Sequence, residues 1–175
     1  VRTFSERDVS EAIELRGTLE GLAARLAAER GVAPALLAAA RQCLDRIDGV
    51  LSQPALDDEA FSAYVALNEQ FHIVLGSMAE SPVVTRELER VVSLPFASPS
   101  GFVVQQANSP QARDMLIVAQ DQHRQVLDAI AAREGSRAEA IMREHSRIAQ
   151  RNLREALQNR QLDQMPGVRL IRQRA

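Results

Sequence analysis

Apolar residues recur at intervals of three and four along almost the whole chain, the spacing of helices that bury one face. From Val9 to Arg30 the stripe is Ile13, Leu15, Leu19, Leu22 and Leu26, and Gly31 stops it. Ala33 to Leu51 repeats the pattern through Leu36, Leu37, Ala40, Leu44 and Ile47, and Gln53-Pro54 closes it. A third helix is predicted from about Asp57 to Glu80, on Phe61, Tyr64, Asn68, Phe71, His72 and Leu75. Ser81 at the N-cap and Pro82 at the first helical position open a shorter one, with Val83, Leu88 and Val92 apolar.

Prolines and a glycine break the pattern from Pro95 to Pro110, which reads as a loop, and its Ser98–Pro110 part as a connection between helices. The fifth helix spans Arg113 to Arg133 with Met115, Ala119, Val126 and Ile130 inward. After Gly135, Ser136 with Glu139 three residues on reads as a capping box. The last helix then runs to about Gln161 through Ile141, His145, Ile148, Asn152 and Ala156. No stretch alternates convincingly as a strand. The pattern predicts an all-α antiparallel bundle of six to seven helices over residues 9–161. A polar segment, 1–8, precedes it, and a tail with Arg169, Arg172 and Arg174, 162–175, follows.

The 175 residues suffice for one domain with a sizeable core. Aromatics make up 3% and Trp is absent, which favours helices packed through aliphatic side chains. The basic residues are all Arg, and the net charge of −2 gives no ground for nucleic-acid binding by these residues themselves. The single cysteine, Cys43, lies in an Ala/Leu-rich helical run, where burial is its default. A lone thiol fits a reducing, cytoplasmic setting. No apolar run approaches the roughly 18 residues of a membrane span, and no signal-peptide pattern opens the chain. The chain starts at Val1, so further residues are expected upstream.

Three histidines, His72, His123 and His145, each fall on an inward stripe. An imidazole there costs desolvation unless something satisfies it. His123 is ten residues from Arg133 and His145 nine from Ser136. At about 1.5 Å per residue, both stand roughly 14–15 Å from the turn joining their helices. Antiparallel neighbours therefore bring them to one height. Asn68 precedes His72 by one turn on the same face. If that helix crosses the same layer, Asn68, His72, His123 and His145 surround one point. Neutral imidazoles suit Zn²⁺, Ni²⁺, Mn²⁺, Fe²⁺ or Co²⁺ without choosing among them. Arg16 and Glu20, spaced i, i+4, read as a surface pair of small value.

The ordered motifs resemble one family. Glu14-Leu15-Arg16-Gly17-Thr18-Leu19-Glu20 followed by Ala23-Ala24-Arg25-Leu26-Ala27-Ala28 resembles the opening helix of the FadR C-terminal (FCD) domain, the effector-binding half of GntR-type bacterial transcription regulators. Leu67 to Leu75 resembles its central motif, His123 with Asp128-Ala129-Ile130 its next, and Arg137 to His145 its closing helix. The resemblance implies a homodimer and a divalent metal held by an Asp or Asn and three His, here Asn68, His72, His123 and His145. It implies a small organic acid at the metal, with Arg16 as clamp and Asn152, two turns beyond His145, as a further polar contact. The commoner residue at the Asn68 position is Asp, so this chain departs there. The family also carries an N-terminal winged helix-turn-helix, and nothing in Val1–Ala175 resembles it. DNA binding is thus expected of a longer parent protein, with 1–8 as the linker from the missing domain.

The alternative is a three-His metal-dependent hydrolase of the DinB-like kind. Such an enzyme needs a general base beside a metal-bound water. The nearest acids, Glu69, Asp121 and Glu144, are placed on other faces of their helices, so no catalytic residue is assigned. A plain dimerisation bundle without ligand would leave the histidines dispensable.

Overall fold

A computed structural model describes residues 4–94, 97–101, 112–158 and 171–172. Six helices account for most of them: α1 (Glu6–Arg30), α2 (Pro34–Leu51), α3 (Asp58–Ser77), α4 (Pro82–Val92), α5 (Ala112–Ala131) and α6 (Gly135–Gln158). Two-residue strands β1 (Phe4–Ser5) and β2 (Ile171–Arg172) pair in parallel. The architecture is an all-α helical bundle, as the periodicity predicts. The rest of the expected 95–110 loop and of the 162–175 tail, with residues 1–3, lies outside the described residues.

Helix ends follow local chemistry. Ser5 and Asp8 form a reciprocal capping box, so α1 begins at Glu6, before the apolar stripe starts at Val9. Gly31 ends it with φ of 87°, a conformation that a β-carbon disfavours. Asp57 caps α3 through the Ala60 N–H, and Ser81 with Pro82 opens α4. The capping box expected at Ser136 does not form. The helix starts a residue earlier, at Gly135, and the Glu139 carboxylate instead accepts from Arg25 at 2.8 Å.

The most extensive helix–helix packing in the fold is α1 lying along α6. Small residues make this possible: Gly17 faces Ser146, and Gly21 faces Arg143 and Glu139, of α6. At Gly17 the approach is closest, since a β-carbon there would sit 2.1 Å from Ser146 Oγ. The largest core cluster joins α2, α3, α5 and α6 through Leu44, Ile47, Tyr64, Phe71, Leu75, Leu127, Ile130 and Met142. Cys43 is buried among them and its thiol reaches the Leu67 carbonyl. A smaller cluster, Ala23, Ala79 and Val84, seats α4 on α1.

Two stripes differ from expectation. In α1 the buried face is Ile13, Arg16, Gly17, Glu20 and the alanines, whereas Leu15 is 50% exposed and Leu19, Leu22 and Leu26 are half-buried. Close packing on α6 selects small residues for this face, and the leucines flank it. In α4 the buried valines are Val84 and Val91, and Val83 is 61% exposed. No helix among the described residues is long and apolar enough to cross a membrane.

Candidate metal centre

The three histidines come from three helices, α3, α5 and α6, and all are buried. Each offers a ring nitrogen, and these atoms lie within 4.8 Å of one another. Ring centroids stand 5.3 Å apart for His72–His123 and His72–His145, and 4.4 Å for His123–His145. The shared height of His123 and His145 therefore follows from the short turn between α5 and α6, and α3 does cross the same layer.

What each ring does with its other nitrogen decides the chemistry. His72 Nδ1 lies 2.7 Å from Glu20 Oε1, so this nitrogen carries the hydrogen and donates it to a carboxylate. His123 Nδ1 faces Gln120 Oε1 at 3.3 Å. That amide cannot be turned round, because its Nε2 donates to the Leu44 carbonyl and to Asp48 Oδ1. His145 Nδ1 faces Gln122 Oε1 at 3.2 Å. All three rings are thus engaged from outside at Nδ1, with Nε2 turned to the interior. His72 Nε2 is buried without a partner.

The donor set fits a divalent cation. His123 Nε2 and His145 Nε2 are 3.1 Å apart. Two imidazole nitrogens bound side by side to one ion at about 2.1 Å stand roughly 3 Å apart. Burial, and then the neighbouring imidazoles, hold His123 and His145 well below the usual histidine range, so both rings are neutral, the state that binds a metal. Asn68 is also buried, one turn before His72; its Nδ2 donates to Ser100 Oγ at 3.1 Å, which leaves its carbonyl oxygen outside that bond.

Arg16 and Glu20 are the clearest departure from the sequence reading. They do not form a surface pair: Arg16 is 1% and Glu20 2% exposed. Arg16 Nη1 donates to Glu20 Oε2 at 3.0 Å while Glu20 Oε1 takes His72. Burial pushes the Glu20 carboxyl up, but the Arg16 guanidinium and His72 outweigh it and hold it at about 2. Arg16 Nε has no partner.

A small cavity of about 30 Å³ lies beside the cluster, lined by Arg16, Tyr64, Asn68, His145 and Asn152 with apolar neighbours such as Leu116 and Ile148. Asn152 Oδ1 is buried there without a partner. Two residues that line the cavity thus carry an unused donor, Arg16 Nε, and an unused acceptor, Asn152 Oδ1. Glu69, Asp121 and Glu144 are exposed, and both Glu20 oxygens are engaged, so among the described residues no carboxylate is free to act as a base at the cluster.

Sequence reasoning missed Gln120 and Gln122 and misplaced Glu20. Gln120 precedes His123 by one helical turn beside Ala119, a spacing that puts it on the inward stripe. Gln122 carries no such signal, since its neighbour across the hairpin sets its role.

The profile of one protein family, the FCD domain, matches residues 11–147. A comparison with curated proteins found no match.

Proposed function

The chain belongs to the FCD-domain family, a family of regulatory effector-binding domains of transcription factors and not of enzymes, and on that premise we propose that it senses a small organic acid through a bound divalent metal. Asn68, His72, His123 and His145 hold the ion. Arg16 and Asn152 meet the acid, for which the cavity of about 30 Å³ between them must widen: the guanidinium Nε–H donates to its carboxylate, and the Asn152 carbonyl accepts from a hydroxyl or amine. The metal supplies a Lewis-acidic centre that fixes one end of the ligand. The metal species is one of Zn²⁺, Ni²⁺, Mn²⁺, Fe²⁺ or Co²⁺.

One observation carries the reading. Three buried imidazoles present Nε2 to a common point while Glu20, Gln120 and Gln122 occupy every Nδ1. A core that only needed to pack would gain nothing from this arrangement, because burying three imidazoles, one with its Nε2 unpartnered, costs desolvation.

In the cytoplasmic parent regulator, two copies of the domain pair as a homodimer, and the acid biases their placement and so the spacing of the DNA-reading domains. Such a shift requires different affinity for the two arrangements. Elemental analysis of the purified chain, with thermal unfolding in a panel of organic acids before and after chelation, tests the proposal. One equivalent of metal and an acid-specific stabilisation that vanishes on chelation are expected. Absence of metal together with indifference to every acid would overturn it.

A further inference from the structure

The inner cavity beside the cluster has a volume of about 30 Å³, the space of a water or two. A wider groove of about 440 Å³ lies on the outside between α3 and α4. Its inner wall includes His72 and Glu20, and Glu69 and Glu89 stand at it as exposed carboxylates. Among the described residues, arginine is absent from its lining. Pro99 lines both spaces. The other described residues around the inner cavity belong to α1, α3, α5 or α6. Among the described residues, Pro99 is therefore its non-helical wall.

Among the described residues, the Ser100 side chain ties that partition to α3. Ser100 is buried; its Oγ accepts from Asn68 Nδ2 at 3.1 Å and donates to the Val65 carbonyl at 3.4 Å, both on α3. Ala97 anchors the preceding end, buried and bonded to the Leu94 carbonyl, and a turn closes Gly101 N–H on Ser98 O at 3.0 Å.

We propose that residues 98–101 are a door between the α3–α4 groove and the histidine cluster, latched by the Asn68–Ser100 hydrogen bond, and that a divalent cation passes through it. The chemistry of the groove suits a cation: Glu69 and Glu89 attract it at the mouth, and His72 is the first imidazole it meets. Opening the latch releases the Asn68 amide from Ser100, so one residue serves both door and ion. The use of the door by an ion rests on the metal reading above; the latch itself does not.

The test uses Zn²⁺ alone and the whole chain. Uptake is followed by stopped flow and release by transfer to a chromogenic chelator. Ser100→Ala is expected to speed release about tenfold, and Ser100→Thr, which keeps the hydroxyl, to stay near the parent rate. Glu69→Gln with Glu89→Gln is expected to slow uptake severalfold at low salt and to flatten its salt dependence, with release unchanged. Hydrogen exchange at Gly101 in the ion-free chain is expected to quicken in Ser100→Ala. Rates and exchange indifferent to these changes overturn the door. Failure to bind Zn²⁺ at all, with quickened exchange in Ser100→Ala, supports the latch and overturns the passage of an ion.

Discussion

His123 Nε2 faces His145 Nε2 across 3.1 Å of buried space, and the glutamine fixed behind His123 leaves its inner nitrogen with a lone pair. His145 turns its own Nε2 towards it, with Nδ1 at Gln122. An ion between them takes one bond from each ring. Saturation with Zn²⁺ is expected to load one ion per chain. At a hundredfold excess over Kd it should raise the unfolding midpoint by roughly 5–10 °C. Differential scanning calorimetry checks this, and a midpoint that ignores Zn²⁺ contradicts it.

Glu20 orients His72 from behind, and its replacement separates orientation from ligation. Glu20→Gln keeps the shape and can still accept one hydrogen bond, yet it leaves the buried Arg16 without a counter-charge. Metal affinity is expected to fall about 10–100-fold, the usual consequence of altering a group that holds a metal-ligating histidine. Competition with a chelator of known affinity measures the change. Equal affinity in variant and parent would show that His72 needs no partner at Nδ1.

The contrast between α3 and α1 shows what a sequence can display. Along α3, Phe61, Tyr64, Asn68, Phe71, His72 and Leu75 are all buried, and hydropathy and bulk point the same way at each. Along α1 they conflict. The most hydrophobic residue of one turn, Leu15, is half exposed, while a charged pair, Arg16 and Glu20, lies inside. Space decides there: α6 approaches so closely that glycine and alanine must face it. The second oxygen of Glu20 takes its hydrogen bond from His72, 52 positions away, a partner no local spacing reveals. The meeting of His123 and His145 was legible because a short turn converts sequence distance directly into height. The amides that hold these rings were not, since Gln120 is fixed by α2 through Leu44 and Asp48.

Gly17 gives a packing test of the α1–α6 contact. A valine there would drive its β-carbon to within 2.1 Å of Ser146 Oγ and 2.4 Å of its Cβ, so one helix must shift. Gly17→Val is expected to cost about 1–3 kcal/mol or more. It should also weaken metal binding, because Arg16 and Glu20 are carried on the displaced turn. Ser146→Gly in the same chain removes the clashing atoms and should recover part of the loss. Chemical denaturation of the three variants decides, and an additive outcome without recovery would place the strain elsewhere.

The ion-free chain should be acid-sensitive in two stages. In the folded state, burial and then the neighbouring imidazoles keep His123 and His145 from taking protons until well below the ordinary histidine range. In the unfolded chain the same rings take protons near pH 6.5. Over that interval the unfolded state binds more protons, so stability rises with pH and is lost as pH falls below about 6.5. Glu20 adds a second stage with the same sign: its carboxyl is held at about 2 against an ordinary 4.5, so its contribution is full above 4.5 and drains away below it. The unfolding midpoint of chelator-treated protein is therefore expected to be level from pH 8 to 7 and to fall from about 6.5 downward, then more steeply below 4.5. His145→Leu should make the first stage shallower and leave the second in place. A midpoint that holds or rises as the pH is lowered from 7 to 5 would mean that the folded histidines take protons as readily as the unfolded ones.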